Sequence, residues 1–335
     1  MILIVSNPAG DGHIRPVRDE LLRRGVECAV FDPGSFLNSS VFTAEHSVRG
    51  IRWHLSWSGR SLEFADVDAV WFRRPSEFEF SPGLRTGERN WLNLECSHLF
   101  RALWECSAAL WVSRPSAIRR ASLKLLQLHL AGALGFKVPD FVVTNDVEIA
   151  RNFVASCPDG AIVKVLANPA IIDDERAGTI YTHLLTPRDL QLLDAVRFGP
   201  TFLQRFVPKR LDVRVTVIGD RVFAVGIEST HLHEAKIDFR RAEVYDLPHR
   251  VLELPEQVSL ACVNLVQQLG LAFGAIDLLQ TPAGEFDFLE INPNGQWYWL
   301  EQMTGAPLTA ALCDLLMGHR DATRDKNIAK ASRQS

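Results

Sequence analysis

No two of the six cysteines (Cys28, Cys96, Cys106, Cys157, Cys262 and Cys313) form a CxxC pair, and no Cys/His cluster has zinc spacing. A structural zinc site and a dithiol redox centre therefore drop out, and the thiols are expected to be reduced and mostly in cores. No charge of one sign dominates. Against 36 Lys+Arg stand 40 Asp+Glu, a net charge of −4, which calls for neither nucleic acid nor an anionic membrane. No apolar run reaches the ~18 residues a membrane span requires. The opening Met1-Ile-Leu-Ile-Val-Ser6 has no basic n-region and is too short for a signal peptide, so a cytoplasmic protein is expected. Internal repeats and low-complexity segments are missing as well. So are two phosphate-binding motifs. In Asn7-Pro-Ala-Gly-Asp-Gly-His13-Ile-Arg-Pro16 the third glycine of a dinucleotide fingerprint is replaced by Arg15, and the Gly-Lys-Ser/Thr of a P-loop does not occur.

What is present is apolar material for two or three lobes: 47% of 335 residues are hydrophobic. Residues 2–6 read as a buried parallel strand. Val17, Leu21 and Leu22 then mark a helix closed by Gly25, and 26–31 a second strand, the opening of an α/β sheet. A hairpin-like region near 51–64, a strand at 69–73 and a long helix over 91–110 follow. Pro115 precedes a new helix. Leu123, Leu126, Leu130 and Leu134 form a helical stripe ending at Gly135, and strands at 141–144 and 161–165 flank a helix near 147–155. Residues 167–178 form a polar loop. Strands are expected at 201–207, 211–218 and 221–228, with Gly219-Asp220 as the turn joining the last two. A helix at 256–269, a hairpin of strands 273–279 and 286–291, and a helix at 308–316 complete the fold. The end, 318–335, reads as a polar, frayed tail.

The chemistry concentrates in the last hairpin, Gly274-Ala-Ile-Asp277 and Phe288-Leu-Glu290-Ile-Asn292-Pro-Asn294-Gly295. A turn centred between Ala283 and Gly284 sets Asp277 opposite Glu290, and strand alternation puts Asn292 on the same face. Asp287 has the opposite parity and is expected to point away. Scattered acids on a hairpin are ordinarily a solvated face. Here the apolar flanks Phe273, Ile276, Leu278, Phe288, Leu289 and Ile291 argue for burial, and buried carboxylates need a cation. Oxygen ligands of this kind suit Mg²⁺.

The chain resembles the ATP-grasp superfamily. The motifs are Lys124 in Ser122-Leu-Lys-Leu-Leu-Gln127, Lys164 at the end of Ile162-Val163-Lys164, Gln204-Arg-Phe206-Val207, Asp212-Val-Arg214, Arg240 in Ile237-Asp-Phe-Arg240, and the Asp277/Glu290/Asn292 set. The resemblance implies an α/β (α+β) ATP-grasp fold behind an N-terminal open α/β lobe. It divides the chain into 1–115, a central part 116–200, a C-terminal part 201–318 and the tail 319–335. ATP and Mg²⁺ are the implied cofactors. Lys124 and Lys164 would reach the phosphates, Gln204, Phe206 and Val207 would receive adenine, and Asp212 would lie near the ribose. Arg214 and Arg240 would hold the phosphate or acyl phosphate, and Asp277, Glu290 and Asn292 the metal.

Nearly the whole chain is similar to the microviridin-type peptide maturases, the graspetide synthetases. Trp71-Phe-Arg-Arg-Pro75, Lys124-Leu-Leu-Gln127, His233-Glu-Ala-Lys-Ile-Asp-Phe-Arg240 and Glu290-Ile-Asn-Pro-Asn-Gly-Gln-Trp297 carry this likeness. It implies phosphorylation of Asp or Glu side chains in a ribosomal precursor peptide of leader plus core. Ester or amide closure onto Ser/Thr or Lys would follow, without nucleic acid or membrane, and the resemblance is compatible with a homodimer. The loop 167–178 holds one glycine where many relatives have a glycine-rich lid. No general base stands out: His231 and His233 lie near the expected site, but histidines beside strands are more often structural.

Other readings stay open on the residues alone. The same fold serves ligases of small carboxylates or of protein tails. The Gly12-His13-Ile-Arg-Pro16 loop also matches a glycosyltransferase pattern, although no nucleotide-sugar site follows it. A non-catalytic nucleotide-binding module would not need the lysine, arginine and metal set. Trp71 and Trp297-Tyr-Trp299 serve equally as peptide contacts or core aromatics.

Overall fold

The computed structural model describes residues 1–48, 50–167, 170–172, 177–230, 237, 239–241 and 244–318. His231, His233 and the tail 319–335 lie outside the described residues, as does much of the loop 167–178. The side chain of Arg240 is likewise outside them.

The N-terminal sheet has four parallel strands in the order Cys28–Phe31, Ile2–Val5, Ala69–Phe72, Leu110–Val112. Alternation along Ile2–Val5 sends Ile2 and Ile4 to one face, where they meet Val17 and Leu21 of helix Ile14–Arg23. Leu3 and Val5 go to the other, against Phe100, Leu103 and Trp104 of helix Thr86–Cys106. This helix begins earlier than its sequence signal and stops at Cys106, because Leu110 belongs to the fourth strand. A meander of Ser40–Ser47, Gly50–Trp57 and Arg60–Glu63 lies beside this sheet; its first strand was not legible in the sequence.

A four-stranded antiparallel sheet follows, ordered His183–Leu184, Ala161–Lys164, Thr201–Arg205, Phe141–Thr144. Thr201–Arg205 was expected among the C-terminal strands. It pairs instead with Phe141–Thr144 and Ala161–Lys164, so it belongs to the central sheet. Its apolar residues Phe202 and Leu203 read alike in either sheet, and only long-range pairing decides. Inside the loop 167–178 a short pair forms between Ala170–Ile172 and Ala177–Thr179.

The largest sheet is antiparallel, ordered His249–Leu252, Arg221–Ile227, Leu211–Ile218, Phe273–Gln280, Phe286–Asn292. Val213, Val215, Val217, Ile276 and Leu278 form one face and pack on helices Lys124–Ala133 and Glu256–Gln268. From the opposite face Ile218, Val225, Phe273 and Ala275 join Ile2, Ile4 and Trp71 in one core. The N-terminal sheet is thus packed against the side of the C-terminal sheet that displays Asp212, Arg214 and Asp277. Trp71 and Trp297 are buried in this core, 2% and 1% exposed, which settles their role as core aromatics. Helix Tyr298–Thr304 and the helical residues 308–318 close it. Among the described residues no helix is long and apolar enough to cross a membrane.

Candidate active site

Asp277 and Glu290 are direct cross-strand partners, as the hairpin spacing requires, but by a different route. Gln280 pairs with Phe286, Leu279 with Asp287 and Leu278 with Phe288, so the turn is centred on Ala283 and not half a residue later. Gly284 takes φ +87° there, a value that favours glycine. The register then shifts between Asp277 and Leu278, leaving Leu289 as the additional residue of a bulge. The bulge restores Asp277 opposite Glu290 and Ala275 opposite Asn292, and it delivers Leu289 to the same cleft.

Asp287, expected to point away, lines neither cleft described below. Its cause is not the parity assumed, since the bulge changes the alternation. Asp287 is 1% exposed, and among the described residues its Oδ1 has no hydrogen-bond partner. Burial raises its pKa, against the opposing charge of Lys137. A carboxyl with a raised folded pKa costs stability once pH exceeds that pKa, and the cost disappears below the unfolded value of 3.8. Asp287→Asn is therefore expected to stabilise the protein by about 1 kcal/mol at pH 7 and not at all near pH 3. Denaturant midpoints at the two pH values check this; equal shifts at both would contradict it.

Two clefts meet at the hairpin. The first has apolar walls that include Ile162, Phe206, Val207, Leu279 and Leu289, and it reaches Lys164, Gln204, Asp212, Asp277 and Glu290. The second is bordered by Lys124, Gln127, Lys164, Tyr181, Glu290 and Asn292. Lys164, Thr182 and Glu290 line both, so the clefts are continuous at these residues. An apolar slot with a few convergent polar groups suits a planar base, and the charged seam beside it suits phosphates.

Every expected site residue with a described side chain falls on these walls or next to them. Lys124, at the first position of its helix, donates to Glu290 Oε2 at 2.8 Å. Lys164 donates to Gln204 Oε1 at 3.3 Å, and Gln204 itself is fully buried. Arg214 pairs with Asp277 Oδ1 at 2.7 Å and donates to the Gln296 carbonyl at 3.2 Å. Each carboxylate of the proposed metal set thus already faces a cation, which offsets the cost of its burial. Asn292 accepts from the backbone of Asn294 at 3.0 Å. All of these donors to a cation would be oxygens, the chemistry that Mg²⁺ prefers. Of Arg240 only the backbone is described, in the turn Phe239–Arg241. Ile237 and Phe239 of that segment line the apolar cleft.

Several contacts at the site escaped sequence reasoning. Lys209 Nζ lies 2.6 Å from Asp212 Oδ2, and Ser229 Oγ donates to the same oxygen. Burial raises the Asp212 pKa, with the Lys209 charge opposing it. The i,i+3 spacing of Lys209 and Asp212 was visible, but Ser229 arrives from the segment after the strand Arg221–Ile227. Gln127 spans to the hairpin: Oε1 accepts from Ile291 N at 3.1 Å, and Nε2 donates to the Ile291 carbonyl at 2.9 Å. It clamps the strand that carries Glu290 and Asn292.

No family model and no curated protein matches the chain significantly. Solved structures do. The macrocyclase MdnC bound with precursor peptide MdnA, from Microcystis aeruginosa MRC, is 25% identical; the match covers 95% of this chain and 99% of that one, with a TM-score of 0.83. A RiPP-associated ATP-grasp ligase of Chryseobacterium gregarium, in complex with ADP and a leader and core peptide, is 26% identical over 95% of this chain and 96% of that one, with a TM-score of 0.88. The ATP-grasp ligase PsnB, complexed with minimal precursor, Mg and ADP, is 26% identical over 95% and 96%, with a TM-score of 0.75.

Proposed function

We propose that this protein, an ATP-grasp ligase of the graspetide type, activates side-chain carboxylates of a ribosomal precursor peptide and closes them onto Ser/Thr hydroxyls or Lys amines. The observation that carries the reading is the seam at Lys164 and Glu290. It joins an apolar slot to a charged cleft, in a chain that matches along 95% of its length a ligase solved with ADP and a leader and core peptide.

In this reading adenine lies between Phe206, Val207 and Leu289, and Gln204 reads its edge. Asp212 with Lys209 faces the ribose. Lys124 and Lys164 exchange their present partners for phosphate oxygens. The substrate carboxylate attacks the γ-phosphorus and ADP leaves, giving an acyl phosphate; the hydroxyl or amine then attacks the acyl carbon and inorganic phosphate leaves. Phosphoryl transfer asks for positioning and charge neutralisation more than covalent help. Arg214 and Arg240 supply that at the acyl phosphate. Asp277, Glu290 and Asn292 would hold Mg²⁺, which adds positive charge at the phosphates when bound. The division into an N-terminal lobe, a central and a C-terminal part belongs to the same proposal, with the second boundary moved past Arg205. So do action in the cytoplasm without nucleic acid or membrane, and a homodimer.

The test is intact-mass analysis of a short candidate precursor, encoded beside the gene, after incubation with the protein, ATP and Mg²⁺. Loss of one water per bond, dependent on ATP and absent with Asp277→Asn, is the expected result. An unchanged peptide together with ATP turnover on free amino acids would move the protein to the small-substrate ligases.

A further inference from the structure

We infer that Asp11, His13 and Arg73 are positioning residues: a buried brace on the N-terminal sheet that holds the loop 293–297, and through it Arg214 and Asn292, in working geometry. The inference rests on the ligase reading of the site.

All three residues are nearly inaccessible, at 6%, 7% and 1% exposed. Arg73 follows the strand Ala69–Phe72, and its Nε donates to Asp11 Oδ2 at 2.8 Å. Its remaining reach crosses to the loop. It donates to the carbonyls of Asn294 and Gly295, the latter at 3.0 Å, while Asn294 Nδ2 donates back to the Arg73 carbonyl. His13 lies at the start of helix Ile14–Arg23. Its Nδ1 is 2.6 Å from Asp11 Oδ1, and its Nε2 receives the backbone N–H groups of Trp297 at 3.1 Å and Tyr298 at 3.2 Å. Two donors aimed at Nε2 require it to be unprotonated, which places the imidazole proton on Nδ1, toward Asp11. Burial also favours the neutral ring, and Arg73 and Arg74 add to that, against the pull of Asp11.

The far side of the same loop forms the site. Gln296 offers its carbonyl to Arg214, the Gly295 backbone lies against the Arg214 guanidinium, and Asn294 N donates to Asn292. The loop is thus gripped by the brace on one side while it fixes Arg214 and Asn292 on the other. A buried arginine with a carboxylate on one edge and carbonyls on the other has the planar fork that lysine lacks. A displacement of about 1 Å at a reacting centre costs on the order of 100-fold in rate. The brace accounts for the Gly12-His13-Ile-Arg-Pro16 and Trp71-Phe-Arg-Arg-Pro75 motifs without assigning either a ligand.

The experiment compares wild type with Arg73→Lys, His13→Phe and His13→Gln. ADP binding in Mg²⁺ is followed by calorimetry, and ADP release from ATP with Mg²⁺ and the short candidate precursor is expressed per ADP-binding site. The expected result for Arg73→Lys and His13→Phe is a kcat at least ~10-fold lower, with KM for ATP within about 2-fold, because the apolar cleft is built from other elements. His13→Gln, whose amide can both donate to Asp11 and accept from the loop, should recover part of the loss. Turnover per binding site equal to wild type in Arg73→Lys and His13→Phe overturns the inference, even where fewer sites fold. A wild-type protein that binds ADP but turns over no ATP in the presence of the candidate precursor would instead remove the ligase reading beneath it.

Discussion

Glutamine in place of Glu290 is expected to lower ATP turnover by ~10²- to 10³-fold while the fold and ADP binding persist. Among the described residues Glu290 is the one carboxylate on the walls of both clefts, opposite Asp277 and 2.8 Å from Lys124. Glutamine keeps the shape and the oxygen but removes the charge that would bind a cation among the phosphates. It also leaves Lys124 without its carboxylate, so a modest fall in stability should accompany the lost rate. Adenine contacts are made elsewhere, by Phe206, Val207 and their neighbours, so ADP should still bind in the absence of metal. Turnover within threefold of wild type would take Glu290 out of the reaction centre. Steady-state ADP release and calorimetry measure the two quantities separately.

Gly295→Ala should be nearly as damaging, for a steric reason. A Cβ at position 295 would sit 2.5 Å from the Ala275 Cβ and 2.6 Å from a terminal nitrogen of Arg214. Ala275 cannot withdraw, because its strand is paired on both sides, with Leu211–Ile218 and Phe286–Asn292. The arginine or the loop must move, and either breaks the Arg214 contacts to Asp277 and Gln296. The expected outcome is a stability loss of about 1–3 kcal/mol, typical of overpacking, and a fall in turnover of ~10²-fold. Gly87→Ala is the control: a Cβ there meets nothing within 4 Å, and its helix should gain slightly. Chemical denaturation and single-turnover ATP assays decide; full activity in Gly295→Ala would show that the guanidinium position is not critical.

The hairpin shows how far spacing alone reaches. The pairing of Asp277 with Glu290 follows from counting residues to a turn, yet the turn lies half a residue away and a bulge at Leu289 makes up the difference. Counting cannot detect a bulge, because an additional residue leaves the apolar pattern nearly unchanged. For the same reason the burial of Asp287 was missed. Thr201–Arg205 has strand character whichever sheet it enters, and only its partners at Phe141–Thr144 and Ala161–Lys164 show which.

By itself, then, the sequence determined most of the longer elements, their apolar faces and the order of the charged motifs, since periodicity and turn chemistry are local properties. The resemblance of those motifs supplied the ligase reading. Only the tertiary structure decided how Asp11, His13 and Arg73, from the first quarter of the chain, come to grip residues 293–298. Two sheets share one core between Ile2, Ile4, Trp71 and Ala275, and burial of that core, with no local signal to announce it, places one end of the chain against the other.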